Sequence, residues 1–239
     1  ASLLGLFLSG VINWRLIFII PAASGFMLWI FMYICLPSFK EEAGSFRLGY
    51  SEAFRNKKVI KIFSYIFIIS LIYHAVQQWL GVYFSTQLNL SQFTISMLIT
   101  LTSLSGIFGE VWGGRLADSI GRLKVVNLGI AFMALCAFSF LIKLPLSLLV
   151  LVMVAWGLGW TFNHVGLSTM LTDLPQEFLN EAASLNSGVR FISGGIGVFL
   201  GGLIMQKSFI LGFLVFGFGL LVLLYLSRLV SNKIMGGKL

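Results

Sequence analysis

The sequence predicts an all-α protein that crosses a membrane several times, and three observations predict it. The 239-residue chain is 58% hydrophobic and only 10% charged, less charge than a water-soluble surface of that size carries. Its apolar residues come in runs of about twenty, the length at which a helix rising about 1.5 Å per residue spans a hydrocarbon layer about 30 Å thick. Its basic residues collect in alternate turns between those runs, as they do when helices thread back and forth through lipid. The bilayer is therefore the first partner implied. The net charge of +8 reads as topology and not as a nucleic-acid footprint, because the cations form no continuous stripe.

Taken in order, Ala1 to Trp14 is uncharged but short and reads as a partial helix. With no initiator methionine and no charged segment ahead of it, it is expected to be the end of a span that begins upstream, not a signal peptide. Asn13, Trp14 and Arg15 form the turn into a full span, Leu16 to Phe39, with Pro21 near one end and Pro37 at the other. Residues 40–61 carry six basic and three acidic side chains; they are too hydrophilic to insert and make the one plausible domain boundary. Ile62 to Gly109 contains no Asp, Glu, Lys or Arg and is too long for one helix, but the polar stretch Ser85 to Gln92 divides it. Two helices, about 62–84 and 93–112, follow. Val125–Ile142, Pro145–Met170, Leu179–Gln206 and Ser208–Leu226 supply four more, giving seven spans and a partial one.

If the 40–61 linker is cytoplasmic, thirteen of the sixteen lysines and arginines lie on its side, leaving Arg15, Lys143 and Lys207 on the other. That asymmetry is the expected one, and it places the C-terminus in the cytoplasm too. Glycine pairs one helical turn apart, Gly109 with Gly113 and Gly197 with Gly201, predict close helix packing. Cys35 and Cys136 sit in apolar runs without ligand spacing, so no disulfide framework or metal site is expected. A phosphate-cradling Gly-x-x-x-x-Gly-Lys-Ser/Thr and the His-Glu-x-x-His metal pair are both missing from the sequence. Neither an enzyme nor a cofactor is expected.

The most informative segment is Gly113-Gly114-Arg115-Leu116-Ala117-Asp118-Ser119-Ile120-Gly121-Arg122-Leu123-Lys124. It joins two spans through a short turn, for which Gly121 supplies backbone freedom, and its cations hold topology. It resembles the signature of the major facilitator superfamily, loosely G-x-L-A-D-R-x-G-R-K. Gly114, Leu116, Ala117, Asp118, Gly121 and Arg122 match in register, while Ser119 and Leu123 replace basic residues. On the residues alone, Asp118 would pair with Arg122 four positions on. The resemblance implies a sharper role, a carboxylate that docks on a helix N-terminus of the opposite half and latches one side closed.

Further likenesses locate the chain within such a transporter. Gly5, Gly10, the Asn13-Trp14-Arg15-x-x-Phe18 turn and the helix ending at Pro37 look like the fifth and sixth helices. The Pro175-x-x-x-x-Asn180-x-Ala182-x-x-Leu185-Asn186-x-x-x-Arg190 run followed by Gly194 to Gly202 is similar to the eleventh helix of drug-efflux-like members. The resemblance then implies that residues 1–39 end an incomplete N-terminal half and 40–61 join the halves, with 62–239 forming a complete six-helix half. It also implies a small-molecule substrate moved by alternating access, protons as the coupling ion, and dependence on the missing N-terminal half. A membrane scaffold or sensor of the same fold that transports nothing is the alternative.

Polar side chains at membrane depth are costly and mark candidate sites. On one span Tyr73, His74, Gln77 and Gln78 cluster, with His74 and Gln78 on one face; on another Trp156, Trp160, Asn163 and His164 form a stripe. These two stripes are expected to line one aqueous cavity. The plain reading of each histidine is a neutral ring bonded to a neighbouring helix. Glu110 is expected to pair with Arg115 or Arg122. Arg190 is expected to snorkel to the headgroups or to pair with Glu177 or Glu181, with contact to an anionic substrate as the other reading.

Overall fold

The computed structural model describes residues 15–36, 49–174 and 176–234. The expectations placed on Ala1 to Trp14, on Pro37 and the first part of the linker, and on Pro175 lie outside the described residues. Those described form helices and no strand: α1 (Leu16–Cys35), a short α2 (Tyr50–Ala53), α3 (Lys57–Thr86), α4 (Gln92–Ile120), α5 (Arg122–Ser139), α6 (Leu146–Leu171), a single 3-10 turn (Gln176–Phe178), α7 (Leu179–Met205) and α8 (Phe209–Ile234). Among the described residues, seven helices, all but α2, are long and apolar enough to cross a membrane. The chain is a polytopic membrane helical bundle.

Local chemistry sets the ends. Asn56 caps α3: its Oδ1 accepts from the N–H groups of Lys58 at 2.9 Å and Val59 at 3.4 Å. Two orphan donors of the first turn are thereby satisfied, and the helix starts at Lys57, ahead of the apolar run. Ser91 caps α4 by accepting from the Thr94 N–H at 3.2 Å. Helix α4 continues to Ile120 instead of ending near residue 112, because nothing between Gly113 and Ile120 forces the backbone out of helix. The chain turns only at Gly121, where φ is +99°, a conformation that a Cβ would strain. Helix α1 stops at Cys35 before an extended Leu36, as a residue preceding proline prefers.

Helix α3 is the most buried element and packs along α7 and α8; α6 packs against α4 and α5, and α5 against α8. The joints are tied by side chains that satisfy carbonyls. Tyr83 Oη donates to the Phe140 carbonyl at 2.9 Å, Thr102 Oγ1 to that of Met153 at 3.2 Å, and Trp79 Nε1 to that of Val198 at 3.2 Å. The paired glycines lie at helix contacts, Gly113 against Phe162 of α6 and Gly201 against α3. At Gly201 an added Cβ would lie 2.5 Å from the Ala75 carbonyl oxygen, so this approach of α3 and α7 requires glycine. Tyr83, Phe84, Phe140 and Phe213 fill the interior while Leu135, Phe199 and Phe218 point outward. That inverted surface suits a hydrocarbon solvent. None of the described side chains of α1 is buried.

Candidate functional site

Helices α3, α4, α6 and α7 converge near their midpoints on two adjoining cavities, of about 340 and 350 Å³. Each falls in the size range of small-molecule sites. The first is bordered by His74, Glu110, Trp160, His164, Ser187 and Arg190. The second is bordered by Tyr73, Thr102, Ser103, Glu110 and Trp160, so that Glu110 and Trp160 face both.

An aromatic stack forms the shared wall. The Tyr73 ring lies 3.9 Å from that of Trp160 at an interplanar angle of 11°, and 5.4 Å from that of Trp156. His74 meets Trp160 edge-on at 5.5 Å. Its Nδ1 is 2.7 Å from the Ser70 carbonyl oxygen on its own helix. A carbonyl can only accept, so Nδ1 carries the proton, and Nε2 of the neutral ring is left as an acceptor. The bond anticipated to a neighbouring helix is therefore made within α3.

Arg190 departs from its sequence expectation. It neither snorkels nor pairs with Glu181, whose Oε1 accepts instead from the Gly49 N–H at 2.8 Å; the side chain of Glu177, the other expected partner, lies outside those described. The guanidinium is drawn inward: Nε donates to Asn186 Oδ1 at 3.0 Å, Asn186 Nδ2 reaches Ser168 Oγ at 3.4 Å, and Cζ sits 5.7 Å from the Trp160 ring centre. Arg190 is 8% exposed, and its Nη1 and Nη2 have no hydrogen-bond partner among the described residues. Glu110 likewise leaves the hairpin cations. Seven residues past Ser103 and four past Gly106, it shares their face of α4 and turns to the cavities instead of to Arg115 or Arg122.

Of the polar residues singled out in the sequence, His74, Trp160, His164 and Arg190 border the first cavity. Trp156 does not. It is fully buried behind Tyr73, with Nε1 donating to Gln77 Oε1 at 2.6 Å, so that both side chains are spent on joining α3 to α6. Asn163 is fully buried facing α5, where Gly129 approaches its backbone. Gln78 is exposed outside both cavities. Thr102, Thr161 and Ser187 border them without having stood out, since hydroxyl side chains bond helix carbonyls in any apolar run; Thr161 does so with Gly157 at 2.9 Å.

The signature hairpin is a separate site at the α4–α5 junction. Arg122 does not pair with Asp118. It makes an ion pair with Asp173 at 2.6 Å and donates to the Thr169 carbonyl at 2.8 Å and to Thr172 Oγ1 at 3.3 Å, tying the hairpin to the end of α6. The α5 start made by Gly121 aims Arg122 toward α6 and away from Asp118, which belongs to the preceding helix. Asp118 is exposed, and Gly114 has open space where a Cβ would stand.

Known proteins resemble this chain in sequence. The quinolone resistance protein NorA of Staphylococcus aureus, in strains such as Mu50 and COL, is 28% identical over 152 residues, covering 61% of this chain and 38% of NorA. The alignment therefore spans well under half the length of those relatives. The model of the Major Facilitator Superfamily matches residues 1–202. With that match extending over most of its length, the chain belongs to the Major Facilitator Superfamily.

Proposed function

We propose that this chain is the C-terminal part of a secondary transporter that moves a small solute through the membrane by alternating access, driven by a proton gradient. Residues 1–39 close the N-terminal half, 40–61 link the halves on the cytoplasmic side, and 62–239 form the C-terminal half. The single observation that carries this reading is a cavity with polar walls near the midpoints of membrane-length helices, in a bundle whose outer surface is apolar. Such polarity is expensive in lipid and has no use in a passive anchor. Solute-sized space between helices that can rock about it is what alternating access requires. The likeness to a quinolone resistance protein favours export of drug-like or metabolite compounds.

In this scheme Trp160 and the residues around it contact the solute, and His74, His164 and Glu110 are the groups able to take up and release protons. Asp118, exposed and without a partner among the described residues, is free to dock on the N-terminal half. Arg122 and Gly121 hold the hairpin that presents it, and Gly114 keeps that surface flat.

The test is flux by the full-length protein reconstituted in vesicles, with a fluorescent quinolone as the solute. Movement that rises with an imposed pH gradient is expected. Flux no greater than in protein-free vesicles would leave a membrane scaffold or sensor as the reading.

A further inference from the structure

We infer that the first cavity contains an anion subsite centred on Arg190, so that its solutes are organic anions with an apolar or aromatic body. The inference rests on the transport reading for its biological use, but not for its chemistry. A guanidinium carries its charge at neutral pH. Buried in a membrane-embedded bundle, such a charge is costly unless a counter-charge meets it. Arg190 is more than nine-tenths buried, yet among the described residues nothing accepts a hydrogen bond from Nη1 or Nη2. Among the described residues no carboxylate supplies the charge: Glu181 is engaged by the Gly49 N–H, and Glu110 borders the same cavity without forming an ion pair.

What remains of the guanidinium is a prepared fork. Ser168 braces Asn186 and Asn186 holds Nε, which fixes the plane of the group and leaves its two terminal nitrogens, themselves buried, without a hydrogen-bond acceptor among the described residues. Parallel N–H donors in that geometry match the two oxygens of a carboxylate better than any single-point cation does. The walls suit the rest of such a solute, with Trp160 on one side and Phe191 at the edge, and His74 and Ser187 able to bond polar substituents. Glu110 opposes an anion while ionised, so its removal should favour binding.

The experiment is calorimetric titration of the full-length protein in lipid nanodiscs with 1-naphthoate, the neutral 1-naphthamide and the cationic 1-naphthylmethylammonium. Naphthoate should bind at least about tenfold more tightly than the other two, as expected for one well-made charged bidentate contact. Arg190→Gln should erase that preference while leaving naphthamide affinity in place, and Glu110→Gln should strengthen naphthoate binding. Equal binding of the three probes by the parent overturns the subsite and points to a protein carboxylate as the occupant. Retention of the preference in Arg190→Gln overturns it too. If Arg190→Gln does not fold, the ranking of probes by the parent and by Glu110→Gln decides. Quinolone flux without anion preference would sink this inference alone, whereas anion binding without flux of any solute would sink the transport reading alone.

Discussion

Single residues in this chain are understood by the bond each can and cannot make in lipid. His74 was recognisable from sequence as a polar group in an apolar run, but its acceptor on Ser70 was not, since the same ring could equally have reached a neighbour. Trp156 and Trp160 are four residues apart and look equivalent on paper; one is closed off by Gln77 while the other borders both cavities. Gly121 is the opposite case, a position where chemistry and sequence agree. Its φ of +99° leads to a residue-scale prediction: Gly121→Ala should destabilise the hairpin by about 1–3 kcal/mol. A lowered melting temperature of the purified protein in detergent checks it, and an unchanged one would remove the strain argument.

Helices behave as units in three ways that bear on function. Their lengths follow from caps and turns: α3 gains a turn from Asn56, and α4 runs through the signature segment because only its last glycine breaks the helix. Their spacing follows from small residues. Gly201 lets α3 and α7 meet backbone to backbone, and this pairing brings His74 and Arg190 to the same cavity. Gly201→Val should therefore force the two helices apart, at a cost of about 1–3 kcal/mol for overpacking. Chemical crosslinking between cysteines introduced on facing positions of α3 and α7 should fall in the variant, and undiminished crosslinking would show that the contact tolerates a side chain. Their rotation decides the rest. Closeness in sequence to Arg115 suggests a hairpin role for Glu110, although the helical spacing of Ser103, Gly106 and Glu110 puts it on their face of α4.

At the scale of the molecule, four helices of the bundle border polar space while its outer surface presents hydrocarbon, and the hairpin leaves the Asp118 carboxylate exposed. If Asp118 latches the two halves, Asp118→Asn should reduce solute flux by the complete protein several-fold without lowering its amount in the membrane. Such a loss matches the 1–3 kcal/mol typical of coupling between two states. Vesicle flux alongside quantitative membrane blotting measures it, and equal flux in variant and parent would assign Asp118 no part in the cycle.

The sequence by itself determined that the chain lives in lipid, how many helices among the described residues could cross it, where the hairpin turns and which polar residues are too costly to be there by chance. These are properties of short stretches of chain in a given solvent, and span length, turn glycines and misplaced polarity report them directly. Only the tertiary structure decided that Arg122 answers to Asp173 and not to Asp118, that Arg190 turns inward without an ion pair among the described residues, and that Glu110 borders the same cavity. Those outcomes depend on which helices become neighbours and how far each rotates about its axis, and both are set by packing between residues distant in sequence.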